Sequence, residues 1–176
     1  CIRDRGKGSC FEVLVPRAAG VSKGEAPAAA AEPKATTSID GQLIICIDNE
    51  KDILDGMHGL LSKWGANPVT AATAQDASHL METQRVEQGR EPALLLVDYH
   101  LDNNVTGLDV IAALRDAAGR PVPAVILTAD HSAEVAERVR DAGHELLHKP
   151  VKPAALRALI NRILSRRLAV ARLGFQ

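Results

Sequence analysis

The sequence predicts an α/β protein built on a parallel sheet that is covered by helices on both faces. Five short apolar segments alternate with five segments whose apolar residues recur at helical spacing. The apolar segments are nearly continuous rather than alternating with polar residues, which is typical of strands buried on both faces. Repeats of one strand followed by one helix fold as parallel sheets of this kind.

The predicted elements follow one another from residue 43 to residue 167. The strands are expected at residues 43–47, 68–72, 93–97, 123–128 and 146–148. The helices are expected at residues 50–64, 74–88, 108–117, 132–142 and 153–167. The apolar faces of the first and last helices are formed by Ile53, Leu54, Met57, Leu60, Leu61 and Trp64, and by Leu156, Leu159, Ile160, Ile163 and Leu164. Gly65 and Gly143 are expected to end the first and fourth helices.

Composition divides the chain into regions. Residues 18–38 are almost all small or polar, with no large apolar residue beyond Val21, so this segment is predicted to be a linker. We expect a short N-terminal piece at 1–17, a flexible linker at 18–40, the α/β domain at 41–168 and a tail at 169–176. Because the chain begins with Cys1 rather than Met, we expect it to be a piece of a longer protein.

Charge and cysteine content narrow the classes of partner. With 21 basic and 22 acidic residues the net charge is −1, which gives no reason to expect nucleic-acid binding or attraction to a membrane surface. No apolar run approaches the roughly 18 residues of a membrane span. Cys46 lies inside an apolar run and is expected to be a small buried residue, which suits a reducing, cytoplasmic location.

Polar residues follow four of the predicted strands. Asp48 and Asn49 end the first strand, and the third, fourth and fifth end in Asp98, Thr128 and Lys149. Because function collects at the carboxyl ends of strands in open parallel sheets, we expect these side chains to form one site. Together they offer oxygen ligands for a hard divalent cation, a carboxylate nucleophile, a hydroxyl and a lysine. Phosphoryl transfer needs these parts, and its product would be an acyl phosphate on Asp98.

The four strand ends resemble those of a known family. The motifs Ile47-Asp48-Asn49-Glu50, Val97-Asp98-Tyr99-His100, Leu127-Thr128-Ala129 and His148-Lys149-Pro150 resemble, in this order and spacing, the response-regulator receiver domain over about residues 42–167. The resemblance implies a flavodoxin-like (βα)₅ fold with strand order 2-1-3-4-5 and a cis peptide before Pro150. It further implies Asp98 as phosphoacceptor, Thr128 and Lys149 as contacts of the phosphoryl group, and a Mg²⁺ ion held by Asp48, Asn49, Asp98 and the backbone carbonyl of His100.

The resemblance also implies partners. The phosphoryl group would come from a histidine kinase or a histidine-phosphotransfer domain, so the piece itself is expected to be a phosphorylatable signalling module. Gly-Lys-Gly-Ser-Cys-Phe at residues 6–11 resembles the last strand of a histidine-kinase ATP-binding domain. Residues 1–17 are therefore expected to be the end of that domain, and the parent a hybrid sensor histidine kinase. Homodimerisation through the parent kinase stays open.

Several positions depart from the family pattern. Asn49 replaces the second acidic residue of the first strand end, so Mg²⁺ is expected to bind more weakly. The loop after Asp98 lacks the common Met-Pro and is one residue longer, and Leu146 replaces the usual aromatic residue of the fifth strand. Two further groups are expected at the surface: the histidines His58, His79, His131 and His144, and a basic run of Arg162, Arg166, Arg167 and Arg172, predicted to be a solvated face or a docking surface.

Two other functions compete with phosphoacceptance. A receiver-like module could bind partners without being phosphorylated, and Asn49 keeps this alternative open. A phosphatase of the haloacid-dehalogenase type also uses an aspartate nucleophile on a parallel sheet. Its chemistry requires a second aspartate two residues later as acid and base, where this chain has His100. A dinucleotide-binding domain is disfavoured because no G-x-G-x-x-G follows the first strand.

Overall fold

The computed structural model describes the backbone of residues 39–173, and the side chains of this range except at Asn103 and residues 168–173. The predicted N-terminal piece, nearly all of the predicted linker and the last three residues lie outside the described residues.

The described residues form a five-stranded parallel sheet. Its strands are β1 (Leu43–Ile47), β2 (Asn67–Ala71), β3 (Leu94–Asp98), β4 (Ala124–Thr128) and β5 (Glu145–His148). They lie side by side in the order β2-β1-β3-β4-β5, and every pairing is parallel. The flavodoxin-like (βα)₅ fold is thereby confirmed.

The helices that connect the strands are α1 (Lys51–Lys63), α2 (Ala74–Gln88), α3 (Gly107–Ala118), α4 (Ala133–Asp141) and α5 (Pro153–Leu173). Four of them begin and end within about a residue of the prediction, whereas α5 continues six residues past residue 167. The predicted end was wrong because residues 168–173 (LAVARL) contain no glycine or proline that would stop a helix before Gly174. Part of the predicted tail is therefore helical.

The three central strands are buried on both faces, which explains why they are almost wholly apolar, whereas the outer strands β2 and β5 are half-buried. Alternate residues of the central strands point to opposite sides. Ile44, Leu96 and Leu127 belong to a core with α1 and α5. Ile47, Val97 and Ile126 belong to a second core with α2, α3 and α4. Cys46 is buried as predicted, and burial, followed by the charge of Asp48, raises its pKa to about 12.

The basic residues of α5 are only partly a solvated face. Arg162 Nη2 lies 2.8 Å from Glu145 Oε1. Arg167 is half-buried and donates from Nη1 to the carbonyl oxygens of Pro92 and Ala93, at 3.3 and 3.1 Å. The prediction of a fully solvated stripe was therefore wrong for Arg167, because α5 lies against the start of β3.

No helix within residues 39–173 combines the length and hydropathy that a membrane crossing requires.

Candidate functional site

The carboxyl edge of the sheet brings three of the predicted site residues into direct contact. Lys149 Nζ lies 2.8 Å from Asp48 Oδ2 and 2.7 Å from Asp98 Oδ1. Asp48 and Asp98 are buried, with 3% and 6% of their surface exposed. Burial opposes the charged form of Lys149, but the hydrogen bonds and charges of both carboxylates outweigh it and raise its pKa. This ammonium group compensates the charge of the buried carboxylate that ends β3.

Backbone amides orient the two carboxylates. Glu50 N donates to Asp48 Oδ1 at 2.9 Å, and His100 N donates to Asp98 Oδ2 at 3.2 Å. Each carboxylate therefore has one oxygen on the lysine and the other on the amide two residues later in the chain. Two bonds of this kind fix the plane of each carboxylate, which a single contact with the lysine would not do.

Thr128 ends the neighbouring strand and is also buried, with 1% of its surface exposed. It follows Leu127, the residue paired with Asp98 in the sheet. Its hydroxyl oxygen accepts a hydrogen bond from Asp130 N at 3.0 Å, and its carbonyl accepts one from Lys149 N at 2.7 Å. Thr128 therefore links the ends of β4 and β5 beside Asp98.

Asn49 has a different environment from the other predicted residues. It is exposed, and its Nδ2 donates to Asp102 Oδ1 at 2.8 Å. Asp102 begins a single 3₁₀ turn (Asp102–Asn104) in the loop after β3. Sequence reasoning missed Asp102, because no local pattern joins two residues 53 positions apart. The role of Asn49 as a metal ligand stays a prediction.

The loop after β3 is closed by a short antiparallel bridge between His100 and Thr106. Its two hydrogen bonds run from Leu101 N to Val105 O and from Gly107 N to Tyr99 O. Neither bond uses the carbonyl of His100, the predicted backbone ligand. The His100 ring is exposed, and its Nε2 lies 3.7 Å from Asp130 Oδ2.

Gly107 is a site residue whose importance the sequence did not reveal. A β-carbon at this position would lie 2.3 Å from the carbonyl oxygen of Asp98. Only glycine therefore lets the first residue of α3 pack against the end of β3. The helix begins with Thr106 and Asp109 in a reciprocal cap, which fixes this approach.

Comparison with known proteins decides the family. The family model of the response regulator receiver domain matches residues 44–161. The chain belongs to the response regulator receiver family.

Solved structures agree on the fold of this receiver domain. A receiver domain protein from Clostridium thermocellum has a TM-score of 0.63 at 22% identity, covering 73% of this chain and 98% of its own. The chemotaxis protein CheY4 of Vibrio cholerae has a TM-score of 0.60 at 21% identity, covering 70% of this chain and 98% of its own. A CheY-like protein from Methanospirillum hungatei JF-1 gives 0.63 at 22%, with coverage of 74% and 98%. At these identities the likeness concerns the fold alone. No curated protein matches the chain.

The oxygen donors of the receiver site fit a hard divalent cation. Within the described residues, no group of three or more histidine, cysteine, aspartate or glutamate side chains could hold a metal ion. Two carboxylates do converge at the edge, and the His100 carbonyl lies in the adjoining loop. Mg²⁺ is commonly bound by one or two carboxylates, with water and phosphate oxygens completing the shell. Asp48 and Asp98 are therefore the side chains suited to hold it.

The histidines of the receiver differ partly from expectation. His58, His79 and His131 are exposed as predicted. His131 stacks on His148 with ring centroids 4.4 Å apart, which joins the loop after β4 to the end of β5. His144 is half-buried rather than exposed, and its backbone N–H donates to Val139 O at 3.0 Å. Burial, followed by the charge of Arg115, lowers its pKa.

Of two features that the family usually has, this receiver has the cis peptide but lacks the aromatic residue on β5. The Lys149–Pro150 peptide is cis, as the resemblance implied. Leu146 is half-buried on β5 and packs against the core that faces α2, α3 and α4. A residue without a ring therefore occupies the place where the family usually has an aromatic side chain.

Proposed function

We propose that this receiver domain accepts a phosphoryl group on Asp98 from a phosphohistidine of a histidine kinase or histidine-phosphotransfer domain. One observation carries the proposal: a single ammonium group, Lys149 Nζ, contacts two buried carboxylates, at 2.7 Å for Asp98 and 2.8 Å for Asp48. Such an arrangement holds a nucleophile in place together with the positive charge that phosphoryl transfer requires.

In the proposed reaction, an oxygen of Asp98 attacks the phosphorus atom of the phosphohistidine. The P–N bond breaks as the new P–O bond forms, and the imidazole leaves with the electron pair and takes a proton from solvent. Asp98 becomes an acyl phosphate. Lys149 already contacts Asp98, so its ammonium group can pair with the added phosphoryl oxygens. The Thr128 hydroxyl, which accepts from Asp130 N, retains its own proton to donate to one of them.

Mg²⁺ is part of the proposal. Asp48, Asp98 and the His100 carbonyl would hold the ion, with Asn49 as a further predicted ligand. When bound, it would supply positive charge to the phosphoryl oxygens. The two carboxylates outnumber the one ammonium group that contacts them, so the site keeps a net negative charge that favours a divalent cation.

The wider context is proposed on the sequence alone. A hybrid sensor histidine kinase as parent, with its ATP-binding domain ending in residues 1–17 and a linker at 18–40, rests on the motif at residues 6–11 and on composition. The proposed receiver domain begins near residue 41. The cytoplasmic location rests on cysteine usage and also stays a prediction.

A partner-binding module that is never phosphorylated is the second candidate. The observation that favours it is Asn49, whose amide bonds to Asp102 where the family usually has a carboxylate. The contacts of Asp98 with Lys149 favour phosphorylation instead, because a module that only binds partners would not need a buried carboxylate held by a lysine.

Incubation with Mg²⁺ and acetyl phosphate tests the proposal. We expect the intact mass to rise by a single phosphoryl group, and Asp98→Asn to abolish the increase. Asp116→Asn is the matched control, because it removes an exposed carboxylate from the last turn of α3, away from the Asp98 site. A phosphoryl group that persists on the Asp98→Asn protein would place the acceptor elsewhere. A folded wild-type protein that takes up no phosphoryl group would favour the partner-binding module.

A further inference from the structure

Three arginines line a cavity at the amino-terminal ends of the strands, opposite the Asp98 site. It lies where β4 and β5 begin, has a volume of about 500 Å³, and includes Arg115 of α3 and Arg166 and Arg167 of α5 in its wall. We call it the arginine cavity. β4 is five residues long, so the cavity is separated from the Asp98 edge by one strand length, roughly 13–17 Å.

The charge of these arginines is not offset within the wall. Glu145 is the acidic residue of the wall, and its carboxylate lies 2.8 Å from Arg162 Nη2. Among the side chains that the structure describes, Arg115, Arg166 and Arg167 take part in no salt bridge. The arginine cavity therefore presents three guanidinium groups and no free carboxylate.

Two of the three guanidinium groups are fixed by backbone carbonyls. Arg115 donates from Nε and Nη2 to Val122 O at 3.1 and 2.9 Å. Arg167 donates from Nη1 to Ala93 O at 3.1 Å. A guanidinium has five N–H donors, so both keep donors for a further acceptor. Arg166 is exposed, so its side chain can reorient toward a bound ligand.

The fixed arginines lie in an unfavourable electrostatic environment. Burial lowers the pKa of Arg115, and burial followed by the charge of Arg120 lowers the pKa of Arg167, although Glu91 partly opposes this. Both groups stay protonated at neutral pH because guanidinium is so weakly acidic. Half-buried positive charges without a carboxylate partner are stabilised when an anion binds beside them.

Apart from the three arginines and Glu145, the wall is apolar. Pro121, Pro123 and Ile163 lie beside the arginines. The volume falls within the range of small-molecule sites, roughly 300–1,000 Å³. Three guanidinium groups on one small cavity suit a compact, multiply charged anion better than carboxylates spread along a peptide, because guanidinium matches phosphate with two parallel hydrogen bonds.

We propose that the arginine cavity binds an organic phosphate, in which a phosphate or pyrophosphate group is joined to an apolar ring system as in a nucleotide. The phosphate would lie against Arg115, Arg166 and Arg167, and the ring against Pro121, Pro123 and Ile163. The inference is independent of phosphorylation at Asp98, because the two sites lie at opposite edges of the sheet.

Calorimetric titration of the purified chain with adenosine diphosphate, in the presence of a metal chelator, tests the inference. We expect measurable binding, and binding weaker by at least about tenfold for adenosine, which lacks the phosphate groups, and for pyrophosphate, which lacks the ring system. Arg166→Gln should weaken binding by about tenfold. Arg157→Gln is the matched control, since it removes one positive charge from α5 outside the cavity and should leave the affinity within about twofold.

Changes in backbone amide chemical shifts on ligand addition show where adenosine diphosphate binds. Adenosine diphosphate should shift Ala124, Gly143 and Glu145, which border the arginine cavity, and should do so equally in the Asp98→Asn protein. The inference is overturned if no binding is seen at millimolar ligand, if Arg166→Gln and Arg157→Gln behave alike, or if the shifts collect at His100 and Lys149 instead.

Discussion

Lys149 is the residue that neutralises charge at the site. Its ammonium group contacts Asp48 and Asp98, and these carboxylates raise its pKa despite burial. A lysine with a raised folded-state pKa stabilises the fold fully below the unfolded-state value of about 10.4. That contribution is lost as the pH rises through the folded-state pKa.

Replacement of Lys149 by methionine should therefore reveal a stability term that disappears in alkali. At about pH 8 we expect Lys149→Met to lower the free energy of unfolding by about 3–5 kcal/mol, because two buried carboxylates lose their common partner. The difference in the free energy of unfolding between the wild-type protein and Lys149→Met should narrow as the pH rises above about 10.4. Urea unfolding at a series of pH values measures both quantities.

Lys152→Met serves as the control for this series, because Lys152 is an exposed lysine three residues further along the chain. Cys46 deprotonates in alkali once the protein unfolds, but it is present in every variant, so its effect cancels in the comparison. A gap that stays constant, or that widens with pH, would show that the contacts of Lys149 do not stabilise the fold in the way described.

Among the elements, the start of α3 determines how closely the loop after β3 approaches the sheet. Gly107→Ala would place a methyl group 2.3 Å from the Asp98 carbonyl oxygen. The helix would have to move, and overpacking of this kind costs about 1–3 kcal/mol. We expect thermal unfolding to show this loss, and phosphorylation by acetyl phosphate to slow because the end of β3 shifts.

Gly56→Ala is the matched control for α3. Gly56 lies within α1 with nothing inside 4 Å of an added β-carbon. Alanine should stabilise that helix by about 0.5–1 kcal/mol. If both variants change stability in the same direction, the close approach of α3 to β3 does not explain the glycine at position 107.

The loop after β1 and the 3₁₀ turn after β3 form a second unit, joined by Asn49 and Asp102 at 2.8 Å. Asn49→Asp would bring a carboxylate against Asp102, so without metal the protein should become less stable. The extra charge should strengthen Mg²⁺ binding by several-fold. Calorimetry measures the Mg²⁺ affinity, and thermal unfolding without Mg²⁺ measures the stability. Asn49→Ala is the control, because it removes the amide without adding a charge. Unchanged or weaker Mg²⁺ binding by Asn49→Asp would contradict the prediction.

At the scale of the whole molecule, the fold could be predicted from the sequence because the three central strands are buried on both faces and almost wholly apolar, and the helices between the strands bury defined residues. The positions of Asp98 and Lys149 followed from the same pattern, since each comes directly after a predicted strand. The strand order rested on the family resemblance and not on periodicity.

Features that depend on loops or on missing stop signals could not be predicted. The contact of Asn49 with Asp102 joins residues 53 positions apart. The half-burial of His144 depends on tertiary packing, and the length of α5 depends on the absence of a helix-stopping residue before Gly174. The arginine cavity draws on α3, α5 and the starts of two strands, which no local window of sequence contains.

The aromatic residues of the chain have a spectroscopic consequence. The chain contains one tryptophan and one tyrosine. Trp64 follows α1 and lies under the guanidinium of Arg157, whose carbon is 5.6 Å from the ring centroid, in the core shared by α1 and α5. Tyr99 is buried directly after Asp98. Tryptophan emission therefore reports the packing of α1 against α5, so it should change on unfolding and stay nearly constant on phosphorylation. The Tyr99 ring lies beside the acceptor carboxylate and should respond to both events.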